Sequence, residues 1–280
     1  GGPADLFYVA KNADELEKAV KIADEYQIQR FILGGGSNIL VGDLGIRGLV
    51  IKNEAGKIKH DRCYLTAESG ALLNQVVNYA NDNGLAGLAN YISIPGTVGG
   101  AIYNNSHGWP DRKQLIGNLV DQAVILDQGI RKTVNQKWFE FVYDGSKLHH
   151  YPGVLSKVTF KLKGGDPIEL RKISMDILKI RNQKQPIGLR GAGCMFANPE
   201  GDAAGRLIDA AGLKGMRIGG AEVSRVHANF VVNQGNATVL EVLKLMALVK
   251  NKVKEQFKVE LRPEIFLVGE FSSKPEGWNK

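Results

Sequence analysis

The segment Phe31-Ile-Leu-Gly-Gly-Gly-Ser-Asn-Ile-Leu-Val41 constrains this chain more than any other: an apolar run breaks into three glycines and two small polar residues, then resumes. Two strands joined in this way need backbone that turns through positive φ or passes close to a neighbour, and side chains obstruct both. Successive N–H groups in such a loop also form a concavity suited to phosphate. Gly34, Gly35, Gly36, Ser37 and Asn38 therefore read either as a tight turn or as a diphosphate cradle. The dinucleotide fingerprint GxGxxG does not apply, because no amphipathic helix follows; Ile39–Val41 and Gly48–Ile51 read as further strands.

A second cluster, Ser93-Ile-Pro-Gly-Thr-Val-Gly-Gly-Ala-Ile102, repeats the theme. Within Ile94, Pro95, Gly96, Thr97, Gly99 and Gly100, the backbone amides near Thr97 and Gly99 have room to bond a planar heterocycle or a phosphate; the alternative is a loop with a sharp bend. Two glycine-rich loops in one half, each after an apolar run, favour a ligand over chance turns. A third cluster, Gly191-Ala-Gly-Cys-Met-Phe-Ala-Asn-Pro199, sets Cys194 among glycines. A thiol of ordinary pKa, about 8.5, is mostly protonated near neutrality and able to donate a proton, although a lone cysteine also reads as a small buried hydrophobe. Glu264 stands at the entry to the apolar run Ile265–Val268, where a solvated strand end is its plain explanation. His227 reads as a structural histidine, and His149 and His150 lack an acid or cysteine at metal spacing, so no metal site is expected. The Gly-x-Ser-x-Gly elbow of a serine hydrolase is absent.

Helical spacing of Leu16, Ala19, Val20 and Ala23 predicts a helix over residues 13–26, followed by a strand at Arg30–Leu33. Leu72 to Asn83 repeats the pattern and stops at Gly84, a left-handed cap. Short β-type runs, Ala123–Leu126 and Val158–Leu162, follow, with a turn at Asp127-Gln-Gly129. Lys163-Gly-Gly-Asp-Pro167 then marks a boundary near residue 165. Beyond it lie helices at Glu169–Asn182, Ala204–Ala211 and Val239–Phe257, and strands at Phe230–Val232 and Ile265–Val268. With 280 residues, 44% of them hydrophobic, the chain has core for one large domain or two.

The net charge of +7 comes from 36 basic against 29 acidic residues, but Lys11, Lys18, Lys52, Lys57, Lys161, Lys250 and Lys254 are scattered and not interleaved with aromatics. That distribution argues against nucleic acid as a partner and suits steering of a small anion. No apolar stretch reaches bilayer length and no basic, apolar leader opens the chain, so a cytoplasmic protein without membrane contact is expected, with Cys63 and Cys194 reduced.

Taken together, Gly34–Asn38, Ile94–Ala101, Gly191–Pro199, Ala204-Gly-Arg-Leu-Ile-Asp-Ala-Ala-Gly-Leu-Lys-Gly215, His227-Ala-Asn-Phe-Val-Val-Asn233 and Pro263-Glu264 resemble the UDP-N-acetylenolpyruvoylglucosamine reductase family, in family order and across nearly the whole chain. The compact middle region resembles the shorter type, without a substrate-covering insert. The resemblance implies an α+β fold: a two-lobed FAD-binding domain of the vanillyl-alcohol-oxidase type over residues 1–165, with lobes of about 1–57 and 58–165, and a smaller α+β substrate-binding domain over 166–280. It implies FAD with its diphosphate at Gly34–Asn38 and its isoalloxazine near Ile94–Gly100. NADPH is then the reductant, a UDP-sugar enolpyruvyl ether the substrate, and peptidoglycan synthesis the setting. A monomer is favoured. The family's first strand, Asn-Thr-Phe, is absent before Gly-Gly-Pro-Ala-Asp5, which implies a trimmed start.

By position in the family motifs, Cys194 corresponds to the proton donor, Glu264 to the active-site glutamate and Asn198 to a contact with the nucleotide part of the substrate. Tyr143-Asp-Gly-Ser146 corresponds to Tyr-Arg-x-Ser, so Asp144 stands where an arginine binds the substrate carboxylate, flanked by Tyr143 and Ser146. Phe-Lys-Asn-Pro likewise becomes Phe196-Ala-Asn-Pro199. A carboxylate in place of a cation costs on the order of 2–5 kcal/mol in a dry site. Arg190 and Lys147 are the cations that a loop movement would have to bring in. Two readings stay open: an active reductase, and a flavin or sugar-nucleotide binding protein that has lost turnover.

Overall fold

Apolar spacing in the first helix is met by packing: α1 (Ala13–Glu25) buries Leu16, Ala19, Val20 and Ala23. Its start is set by Asn12, whose Oδ1 accepts the Glu15 N–H at 2.9 Å. The computed structural model describes residues 1–109 and 114–273. In chain order the neighbours of α1 are β1 (Ala4–Ala10), β2 (Arg30–Leu33), β3 (Ile39–Val41) and β4 (Ile46–Asn53). Strands β1, β4 and β2 form one sheet in that order, with β2 and β4 parallel and Leu33 opposite Lys52. Leu16, Val20, Ile51, Leu126 and Val154 make the apolar cluster between this helix and its surroundings.

The chain then builds β5 (Ile58–Asp61), β6 (Tyr64–Glu68), α2 (Leu73–Asp82), β7 (Leu85–Ala86), α3 (Val98–Tyr103), β8 (Val120–Asp127), β9 (Ile130–Asn135), β10 (Val154–Lys161), β11 (Lys163–Gly164) and α4 (Pro167–Lys184). Five of these strands form an antiparallel sheet in the order β5-β6-β10-β8-β9. The β8–β9 turn places Gln128 and Gly129 at φ 50° and 74°, the paired left-handed geometry that matches the twist of a tight hairpin. Gly84, at φ 64°, ends α2 as the cap rule requires. Leu65, Leu73, Val77, Tyr91, Phe139, Phe160 and Ile177 fill the core between this sheet and helices α2, α3 and α4.

The last stretch contains β12 (Arg190–Cys194), α5 (Ala204–Ala210), β13 (Arg217–Ile218), β14 (Ala221–Val223), β15 (Phe230–Asn233), α6 (Val239–Phe257) and β16 (Phe266–Val268). Four strands pair in the order β12-β15-β14-β13, and α6 packs on β13 and β14. Helix α6 opens with a capping box: Thr238 Oγ1 accepts the Glu241 N–H at 3.2 Å while Glu241 Oε2 accepts the Thr238 N–H at 3.0 Å. Leu207, Val223, Leu243, Met246, Val249 and Ile265 form its core. β16 pairs in parallel with β3, Phe266 opposite Ile39.

Two compact units result. The larger comprises Leu6–Gly35 and Gly48–Arg181; the other comprises Gly1–Asp5, Gly36–Arg47 and the chain from Asn182 onward. No helix among the described residues is long and apolar enough to cross a membrane.

Tyr91 is wholly buried, and its hydroxyl finds no hydrogen-bond partner among the described residues. Burial pushes its pKa above the ordinary tyrosine value, as it does for Tyr103. The folded state thus favours the protonated form. Stability is whole below about pH 10, the unfolded-state pKa, and declines as pH climbs from there toward the raised folded-state value. Tyr91→Phe removes an unsatisfied hydroxyl and is expected to stabilise the protein by about 1 kcal/mol, raising Tm by about 2–4 °C. It should also soften the alkaline decline, leaving the share due to Tyr103. Thermal melts at pH 7 and pH 11 check both outcomes; a variant less stable than the parent at pH 7 would show that the hydroxyl has a partner.

Candidate functional site

The candidate residues fall into groups within the two units. In the larger unit, Gly34 and Gly35 end β2 and meet the second glycine-rich loop directly. A Cβ on Gly34 would stand 2.6 Å from Thr97 Oγ1, and one on Gly35 would stand 2.6 Å from the Gly96 Cα. Real side chains do not tolerate such distances, so glycine is needed here for close approach. Only Gly36, at φ 71°, uses the left-handed region. The second loop is not a bend alone: Gly96 turns at φ 109°, Thr97 Oγ1 then accepts the Gly100 N–H at 3.3 Å, and α3 starts at Val98. Gly99 gives its N–H to the Ser69 carbonyl at 2.7 Å. Ser69 Oγ in turn accepts from Asn53 Nδ2 at 2.8 Å, which anchors the loop to the end of β4. Next to Asn53, the Lys52 ammonium donates to the Gly34 carbonyl. The result is a stretch of backbone without side chains beside a cation. A dinucleotide's diphosphate, bulky and anionic, fits those features.

In the other unit, Gly36, Ser37 and Asn38 lie against the elements carrying Cys194 and Glu264. Gly193, at φ 80°, brings its Cβ direction within 3.6 Å of the Ser37 carbonyl, just before Cys194 at the end of β12. The residue after Cys194 accepts the Glu264 N–H: Met195 carbonyl to Glu264 nitrogen is 2.9 Å. Asn38 Nδ2 points to the Glu264 carbonyl at 3.5 Å, and the Phe266 N–H donates to the Asn38 carbonyl at 3.0 Å. Asn229 stiffens the segment after Cys194, its side chain bonding both the N–H (3.0 Å) and the carbonyl (2.7 Å) of Phe196. Three segments far apart in sequence thus meet at the backbone beside Cys194 and Glu264. Neither Cys194 nor Cys63 is in a disulfide. Asn198 Oδ1 accepts the Ala204 N–H at 3.1 Å at the start of α5, which fixes how that side chain is presented. His227 is structural, as its sequence setting predicts: its Nδ1 accepts the Asn229 N–H at 3.2 Å, and its ring meets Phe230 edge-on.

The Tyr143–Ser146 turn belongs to the larger unit and is fastened to the far end of α3. Ser146 Oγ donates to the Tyr103 carbonyl at 2.8 Å, and Asn105 Nδ2 donates to the Val142 carbonyl at 2.8 Å. Asp144 sits at φ 54° with its Oδ1 2.7 Å from His107 Nε2, and the His107 ring lies edge-on to Tyr143 at 4.4 Å. The Asp144 carboxylate therefore does not stand alone. Lys147 is held by Glu140 at 2.7 Å and lies 5.4 Å from the Trp138 ring centroid, which accounts for its charge locally. His107, Lys52, Asn53 and Ser69 escape the sequence reading; only the approach of distant loops singles them out. Among the described residues no group of three or more His, Cys, Asp or Glu is placed to hold a metal ion.

Comparison with known proteins places the chain in a family. Residues 4–134 match the FAD binding domain family, and residues 185–268 match the C-terminal domain of UDP-N-acetylenolpyruvoylglucosamine reductase. A UDP-N-acetylenolpyruvoylglucosamine reductase of Clostridium perfringens strain SM101 is 38% identical over 271 residues, 96% of this chain and 88% of that protein. One from Clostridium botulinum strain 657 is 37% identical over 272 residues, with the same coverage of both. The crystal structure of the reductase from Thermus caldophilus is similar with a TM-score of 0.80 at 32% identity, covering 96% of this chain and 93% of that one. With almost its whole length aligned to these reductases and both characteristic domains present in order, the chain belongs to the UDP-N-acetylenolpyruvoylglucosamine reductase family of FAD-dependent oxidoreductases.

Proposed function

We propose that this protein reduces the enolpyruvyl ether of UDP-N-acetylglucosamine to UDP-N-acetylmuramate with NADPH as electron source. Beyond membership of the family, the observation that supports this most is the convergence of the Cys194, Glu264 and Ser37–Asn38 segments, joined by the 2.9 Å bond from the Glu264 N–H to the Met195 carbonyl. When bound, FAD supplies the hydride that adds to the terminal enolpyruvyl carbon. Cys194 delivers the proton to the neighbouring carbon, its S–H acting as general acid. Glu264, whose backbone pairs with Met195 next to Cys194, donates from its protonated carboxyl to the oxygen on which negative charge develops, or assists that protonation. Gly34, Gly35, Gly36, Ser37 and Asn38 hold the cofactor's diphosphate. Ile94, Pro95, Gly96, Thr97, Gly99 and Gly100 pass close to its ring system. Asn198, Tyr143 and Ser146 orient the sugar nucleotide.

Asp144 motivates a second reading, in which the chain binds flavin and sugar nucleotide without turnover. Against it stands the imidazole of His107 on Asp144 Oδ1, a partner able to carry the positive charge that offsets the carboxylate. Activity is the proposed outcome.

Protein reconstituted with FAD should consume NADPH faster on addition of the enolpyruvyl substrate, and the absence of any acceleration would defeat the proposal. Cys194→Ser should keep turnover within about tenfold, while Cys194→Ala should lose about 10²–10⁴-fold. Equal rates for the two variants exclude the thiol as acid. Calorimetry and turnover for Asp144→Arg decide between the readings: tight substrate binding by the parent without turnover, with activity appearing only in the variant, would establish the binding protein instead.

A further inference from the structure

We propose that Lys52 is a further cofactor-binding residue, whose ammonium contacts the FAD diphosphate held by the first glycine-rich loop. The inference rests on the FAD binding established by family, and it concerns a residue that no motif of the sequence singles out. Lys52 lies opposite Leu33 in the parallel β2–β4 register, so its side chain emerges where β2 gives way to Gly34. It is half-buried there and its Nζ donates to the Gly34 carbonyl. An ammonium carries three N–H donors, and that carbonyl takes one. The neighbouring residue, Asn53, holds the second glycine-rich loop through Ser69 and Gly99. Two adjacent residues at the end of one strand thus fix both loops, one of them with a charge.

The charge has a reason to be there. Backbone amides alone present partial positive charge to a phosphate, whereas a diphosphate carries full negative charges that need a counterion in a partly desolvated site. The adjacent acid does not claim Lys52: the Glu54 carboxylate is 2.5 Å from Lys11 Nζ, and Lys11 is the main cause holding Glu54 below the usual carboxylate range, with Lys52 a lesser one. Lys11 and Glu54 form their own pair, and Lys52 points to the loop.

The test separates a phosphate contact from mere support of the loop. Apoprotein is titrated with FAD and, separately, with riboflavin, which has the same ring system and no phosphate, by quenching of flavin fluorescence. Lys52→Met is expected to weaken FAD binding by about 10- to 100-fold, the range of a lost charge-assisted hydrogen bond, and to leave riboflavin affinity unchanged. Lys52→Arg, which keeps the charge, should stay within about threefold of the parent. Raising salt should weaken FAD binding more in the parent than in Lys52→Met. Unchanged FAD affinity in Lys52→Met overturns the proposal, and so does an equal loss for FAD and riboflavin, which would make Lys52 a prop for the loop. If the parent itself fails to bind FAD, the cofactor assignment falls and takes this inference with it.

Discussion

Everything distinctive about the larger unit depends on a contact made by atoms that are missing. Gly34 and Gly35 touch Thr97 and Gly96 at distances where a methyl group on either would collide at 2.6 Å. Because both partners are backbone or short side chain, neither can move aside cheaply, and a closely packed interior transmits such a displacement. The two loops are held at that separation from behind by β4, whose consecutive residues Lys52 and Asn53 reach one loop each. A cofactor surface made in this way is set by the sheet register, since a one-residue slip of β4 would point both side chains away from the loops.

Electrostatics around the Tyr143–Ser146 turn follow a different logic. The carboxylate of Asp144 has an imidazole 2.7 Å away, and that ring has an aromatic edge against it. Asp144 also adopts a left-handed backbone, a conformation that Asp tolerates better than most residues. The turn thus carries a residue suited to its backbone.

Much of this was legible in the sequence because it depends on local chemistry. The helical spacing of Leu16, Ala19, Val20 and Ala23, the span Val239–Phe257 and the cap at Gly84 all match what formed. The glycine-rich loops and the segments carrying Cys194 and Glu264 announce themselves by composition. What stayed hidden is of two kinds. Short strands such as β1, with no clean alternation, and the glycine-rich β12 exist because partner strands pair with them, so no periodicity betrays them. Thr97 as the cap of α3 was readable in principle, but the glycines inside that helix mask it. The partnerships of His107 with Asp144 and of Lys52 with Gly34 join residues from separate elements, and a single sequence carries no record of such pairings.

The chain passes from one compact unit to the other between Asp5 and Leu6, Gly35 and Gly36, Arg47 and Gly48, and Arg181 and Asn182. Strand β3, needed as the partner of β16, is thereby encoded inside the stretch that otherwise builds the larger unit. A fragment starting at Asn182 would carry β16 with a bare edge, and one ending at Arg181 would carry Ile39–Val41 with nothing to pair them; both are aggregation hazards. Genetic recombination at a single junction therefore cannot exchange one half for a relative's version intact. Through this interleaving, the early strand β3 and the late strand β16 are inherited as one cassette, and a replacement of either must bring the other along.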